Sequence, residues 1–265
     1  MSAKPKPVIF IVHGGWHVPE SYKKFTDVLR SQGYEVHLPR LPSVNGARPP
    51  NAGLADDCRL VRSYVESLVQ AGRTIVLFLH SYGGVVGCNA LCGLSLEERT
   101  KQGLAGGISH MIIESGYLLP EGVSPMDKNV EFGTMHLVPY VMDVADDGTS
   151  LKRDPKASMF GPAPDETAVE ESVATLVRWN GNVLYEAPEQ AAWREIPITY
   201  ISSTLDMTLP LDYQLNMMEG VEKAGRRIRK YELVTSHCPH VTETERIVEI
   251  VNEVVDGDES WYHVL

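Results

Sequence analysis

The stretch "VLFLHSYGGVVG", residues 76–87, runs an apolar segment into a His-Ser-Tyr-Gly-Gly corner. A serine at such a corner, here Ser81, is either an ordinary strand-end cap or a nucleophile held at the tip of a strained strand-to-helix turn. The second reading needs small neighbours, because the chain passes close to itself there. Gly83 meets that need, and Gly84 lets the helix approach the strand. The pattern G-x-S-x-G also asks for glycine at position 79, where this chain has Leu79. The match is therefore partial.

A nucleophilic serine requires a base, and the base requires an acid to orient it. "YELVTSHCPHVTETE" presents His237 and His240 just beyond a strand, and an unperturbed imidazole titrates near neutral pH. "ITYISSTLDMTLP" offers Asp206 in a similar position, where an Asx turn opening a helix is the plainer reading. Glu114, at the end of "ISHMIIE", is a rival acid, a pocket carboxyl of raised pKa, or a salt-bridged residue. In "FIVHGGWH" the paired glycines allow close backbone approach, or merely make a turn, and Trp16 and His17 either line a pocket or pack a helix end.

These residues need elements to carry them. Val8 to Val12 and "TIVLFL" are continuous apolar runs, the pattern of strands buried on both faces. "YEVHLPRL", "ISHMIIES", "ITYISS" and "RKYELV" add further strands. Between them, Tyr22, Phe25 and Leu29 follow helical spacing up to Gly33, and Leu54, Cys58, Val61, Val65 and Leu68 describe one face of a long helix. Thr242 and Glu245 could form a capping box for the last helix. Strand–helix alternation predicts an α/β fold with a mostly parallel sheet covered on both faces. Residues 120–193 break the alternation with no convincing strand, and are expected to form an inserted helical lid over the C-terminal edge of the sheet. Residues 1–119 and 194–265 then form the core.

In strand order, and in the motifs "HGGWH", "HSYGG", "TLDMTLP" and "TSHCPH", the chain resembles the α/β-hydrolase superfamily. It is most similar to the small cap-bearing branch of plant salicylate-ester esterases and hydroxynitrile lyases, with related fungal hydrolases. The resemblance implies an α/β-hydrolase fold and a triad in the order Ser81, Asp206, His237, with His240 a wall or surface residue. It also implies an oxyanion hole made by the backbone N–H groups of Gly15 and Tyr82. The expected activity is a serine esterase or lactonase acting on an ester, thioester or lactone through an acyl-enzyme. Trp16, His17, Glu114 and His240 are candidate substrate contacts. Gly14 and Cys238 stand where the hydroxynitrile lyases carry Thr and Lys, which sets cyanohydrin cleavage aside. A C–C bond hydrolase or other non-hydrolytic catalyst is the alternative, and a small-molecule receptor with little turnover the third.

Composition narrows the partners. Of 265 residues, 43% are hydrophobic and 22% charged, which suits a packed globular core, and the net charge of −11 argues against nucleic acid or anionic membrane. Lid residues such as Phe132, Met135, Met142, Met159, Phe160, Trp179 and Tyr185 suggest a compact hydrophobic or aromatic small-molecule substrate, or simply the lid's own core. Cys58, Cys88, Cys92 and Cys238 form no disulfide framework and no short-spaced metal cluster. No metal or other cofactor is expected. Reduced thiols, no signal-peptide core and no membrane-length segment point to a cytoplasmic protein.

Overall fold

In the computed structural model, which describes residues 5–163 and 165–257, the apolar runs pair as a six-stranded sheet. The chain forms β1 (Val8–Val12), α1 (Lys23–Ser31), β2 (Val36–His37), α2 (Leu54–Gln70), β3 (Thr74–His80), α3 (Gly83–Ala90), α4 (Leu96–Lys101) and β4 (Gly107–Glu114). The inserted segment follows, with α5 (Pro125–Glu131), α6 (Val138–Val141), β5 (Met142–Val144), β6 (Thr149–Lys152), α7 (Glu166–Thr175) and β7 (Trp179–Asn180). The core resumes with β8 (Ile198–Ser203), α8 (Leu211–Lys223), β9 (Ile228–Leu233), α9 (Pro239–Thr242) and α10 (Thr244–Asp256).

The strand order is β2-β1-β3-β4-β8-β9 and every pairing is parallel. Side chains alternate across each strand, so Val8, Phe10 and Val12 enter one hydrophobic core while Ile9 and Ile11 enter the other. Register aligns the C-terminal strand ends: His80 lies opposite Glu114, and Glu114 opposite Ile201. The loops after β3, β8 and β9 therefore open along one edge of the sheet, the edge at which open α/β folds bind ligands.

Three local expectations change. The segment 120–193 is not purely helical, because β5, β6 and β7 form a small antiparallel sheet. The reason is a tight turn at Asp147–Gly148, where Gly148 takes φ +83° and Ala145 N–H donates to Thr149 O (2.8 Å). Thr242 and Glu245 do not make a capping box, since the chain breaks at Glu243 between α9 and α10, and Thr242 Oγ1 bonds Thr235 Oγ1 (2.6 Å). The strand expected over 34–41 shrinks to Val36–His37 at the sheet edge, where Pro39 has no N–H to extend the ladder.

Candidate active site

Ser81 leaves β3 with φ +54°, a left-handed conformation that a serine adopts only when its surroundings impose it. Those surroundings are hydrogen bonds and a close approach. Ser81 N–H donates to Glu114 O (3.2 Å), and Ser81 O accepts from Tyr117 N–H (3.1 Å) and Gly84 N–H (3.0 Å). A Cβ at Gly83 would lie 2.1 Å from Val12 O, so only glycine passes there. The departure at Leu79 has its own accommodation. A Cβ at Gly87 would lie 2.6 Å from Leu79 Cδ2, so a glycine one turn into α3 supplies the space that the missing glycine at 79 would have supplied.

His237, on the loop after β9, and Asp206, on the loop after β8, meet Ser81 at the sheet edge. Ser81 Oγ lies 2.9 Å from His237 Nε2, and His237 Nδ1 lies 2.7 Å from Asp206 Oδ2. With Nδ1–H donating to the carboxylate, Nε2 is free to accept the serine proton. Asp206 is itself fixed by acceptance from Thr208 N–H (2.7 Å), Leu209 N–H (2.8 Å) and Gln214 Nε2 (3.4 Å). Both side chains are buried.

Of the residues expected to contact substrate, only Trp16 lines the cavity above Ser81. That cavity measures about 60 Å³ and is walled also by Gly15, Tyr82, Tyr117, Met142 and Trp179. No hydrogen bond among the described residues uses the N–H of Gly15 or Tyr82. Tyr82 is anchored by its hydroxyl, which donates to Asp57 Oδ2 (2.9 Å), and burial raises the Asp57 carboxyl to about 6. Of the residues of 120–193 singled out by hydrophobicity, Met142 and Trp179 face the cavity. Met159 and Phe160 are buried in the core, Phe132 stacks on Tyr213, and Met135 and Tyr185 are exposed.

His17, Glu114 and His240 do not line the cavity. They form a buried polar cluster behind it with His80, Tyr22 and Cys238. His240 is fully buried rather than at the surface, stacks on Tyr22 and holds Glu114 Oε2 through Nδ1 (2.7 Å). Burial raises the Glu114 carboxyl well above its usual range and lowers His240 to about 3, so the proton of the pair sits on the carboxyl. Glu114 is thus paired with His240, not with His237. His80 Nε2–H donates to His237 O (3.0 Å), and Tyr22 hydroxyl donates to His80 Nδ1 (2.6 Å) while accepting Gly14 N–H (3.0 Å). His17 Nδ1–H donates to Gly15 O (2.8 Å). The cluster ties the Gly14–Gly15 loop to the His237 loop. The ring nitrogens of His17, His80 and His240 lie within 4.8 Å of one another. Both nitrogens of His80 and of His17 are already engaged, His17 Nε2 by Cys238 Sγ (3.6 Å), and His240 Nε2 carries the ring proton once Nδ1 accepts from Glu114. The donor set does not fit a metal site.

One cavity group had no sequence signal. Lys152, on β6, faces the cavity although lysine in a polar, turn-rich segment reads as surface. A larger open groove of about 860 Å³, lined in part by Cys58, Arg62, Glu121 and Arg194, shares none of the expected site residues.

The profile of the "Alpha/beta hydrolase family" matches residues 8–250. A probable hydrolase of Phoma sp. is 25% identical over 259 residues, covering 94% of this chain and 98% of that protein. An alpha/beta hydrolase of Aspergillus novofumigatus is 25% identical over 257 residues, covering 93% and 95%. Among solved structures, a pyrethroid hydrolase from Sphingobium faniae superposes with a TM-score of 0.73 at 20% identity, covering 96% of this chain and 99% of that one. Polyneuridine aldehyde esterase superposes with a TM-score of 0.72 at 17% identity, covering 94% and 99%.

Proposed function

Because the chain belongs to the α/β-hydrolase family, we propose that it is a serine hydrolase cleaving an ester, thioester or lactone of a small hydrophobic or aromatic compound. The observation that carries this reading is the chain Ser81 Oγ, His237 Nε2, His237 Nδ1, Asp206 Oδ2, with separations of 2.9 and 2.7 Å. His237 takes the Ser81 proton as Oγ attacks the carbonyl carbon, and the carbonyl oxygen becomes an oxyanion. The unengaged N–H groups of Gly15 and Tyr82 receive it. His237 then returns the proton to the leaving alcohol or thiol, which leaves an acyl-serine. A water, deprotonated by the same imidazole, releases the acid and restores Ser81. Asp206 holds the imidazole in the tautomer the first step needs. Trp16, Tyr117, Met142 and Trp179 give the cavity an apolar, aromatic wall that suits the substrate class.

Intact-mass labelling with a fluorophosphonate tests the reading. Wild type gains one adduct, and Ser81→Ala and His237→Ala gain none. A folded wild type that takes up no adduct overturns it.

A further inference from the structure

The cavity over Ser81 contains one charged side chain among its described lining residues, Lys152, and no acidic one. Lys152 reaches it from β6, where it lies opposite Met142 in the antiparallel register, and directly opposed residues share a face of a sheet. Ser150, two residues earlier and on the same face, accepts from Trp16 Nε1 (3.2 Å), and Lys152 Nζ sits 5.7 Å from the Trp16 ring centroid. Lys152 and Met142 therefore form the lid side of the cavity, with Trp16 beside them.

The lysine is 9% exposed, and its ammonium, which sits over the Trp16 ring, makes no hydrogen bond or ion pair with any described residue. Lys128, the other buried lysine of the insert, instead holds Glu131 Oε2 (2.7 Å) and Asn216 Oδ1 (2.8 Å). The carboxylate whose charge reaches Lys152 is Asp206, but its oxygens are taken by His237, Thr208, Leu209 and Gln214. Burial lowers the Lys152 ammonium to about 8, so it stays mostly charged at neutral pH. An ammonium on so buried a side chain, with an aromatic face but no carboxylate against it, costs stability, and it persists where a ligand completes it. The chain as a whole carries a net charge of −11, so no general field draws an anion to this place.

Resting on the reading of Ser81 as nucleophile, the geometry points to Lys152 as the counter-charge for a carboxylate on the substrate, making the preferred substrates esters or lactones that also bear a free carboxylate. The ammonium and the Gly15–Tyr82 N–H pair stand at different points of one cavity. A substrate bound between them presents its ester carbonyl to Ser81 and its carboxylate to the lid.

The test uses methyl hemiesters of succinic, glutaric and adipic acid against the corresponding methyl esters with a terminal carboxamide. Equilibrium binding is measured on Ser81→Ala, and kcat/KM on wild type and Lys152→Met. At least one hemiester is expected to bind tenfold or more tightly than its carboxamide, and to be hydrolysed with a similar preference. In Lys152→Met that ratio falls to about one, and the thermal midpoint stays level or rises because an unpaired buried charge is gone. Hemiesters that bind no better than carboxamides at every chain length overturn the inference. So does a Lys152→Met protein that weakens both series by the same factor. Fluorophosphonate labelling of wild type, run in parallel, separates the two readings: labelling without hemiester preference sinks only the role of Lys152.

Discussion

Asp206 and Glu114 are both buried carboxyl groups beside an imidazole, and their surroundings give them opposite duties. Asp206 meets only donors, two of them backbone N–H groups, which suits a carboxylate orienting His237. Among the described residues the Glu114 carboxyl has a single hydrogen-bond partner, His240, and its Oε1 has none. It behaves as a neutral acid bracing the wall behind the site. Asp206→Asn should therefore leave the protein folded and lower kcat by about 10³- to 10⁴-fold, because an amide favours the wrong imidazole tautomer. Glu114→Gln keeps a donor for His240 Nδ1 and should stay within about threefold of wild type. Steady-state kinetics on both variants checks the assignment, and the reverse ranking would make Glu114 the working acid. At this scale the sequence offered two acids and two histidines. The family resemblance favoured Asp206 and His237, and their pairing in space, with Glu114 on His240, is what the structure adds.

Among the elements, the strand–serine–helix corner was legible because its requirements are local. An apolar strand, small residues after Ser81 and a helix rich in Gly and Val all lie within one short stretch. The meaning of Leu79 was not legible, since its compensation at Gly87 depends on how α3 lies against β3. Leu79→Gly should thus be costly rather than restorative. It empties a fully buried site and adds backbone entropy to a strand, for a loss of about 3–5 kcal/mol in denaturant unfolding. A variant within about 1 kcal/mol of wild type would show that the leucine fills no needed space. In the segment 120–193, hydrophobicity alone misled, because apolar residues there divide among cavity wall, core and surface. The hairpin signal Asp147–Gly148 was present, but the strands it joins are too short for periodicity to reveal.

For the molecule as a whole, burial of imidazoles sets the response to acid. His13, His17, His80, His110 and His240 are buried, and burial lowers each below the ordinary histidine value, to about 4 for His13 and about 3 for His110 and His240. A base lowered in the folded state contributes stability above its unfolded value near 6.5 and loses it as pH falls toward the folded value. Each such histidine removes about 1.4 kcal/mol per pH unit in that window. Asp57, raised to about 6, and Glu114, raised well above its usual range, each hold a proton in the folded state that the unfolded chain lacks, and together they offset two of the five. The net slope is steep against a typical native stability of about 5–15 kcal/mol. Thermal midpoints should fall sharply between pH 7 and pH 5, and His110→Gln, remote from Ser81, should flatten the curve by one proton. A pH-independent midpoint over that range would contradict the buried neutral state. The sequence by itself determined the α/β architecture and the place of Ser81, Asp206 and His237 on loops after strands, because hydrophobic periodicity and turn chemistry are local properties of the chain; their order as a triad came from the family resemblance. Tertiary structure alone decided that Glu114 pairs with His240, how Leu79 is accommodated, and that Lys152 faces the cavity. Each of those depends on register between segments distant in sequence, and register is set by packing that no single segment encodes.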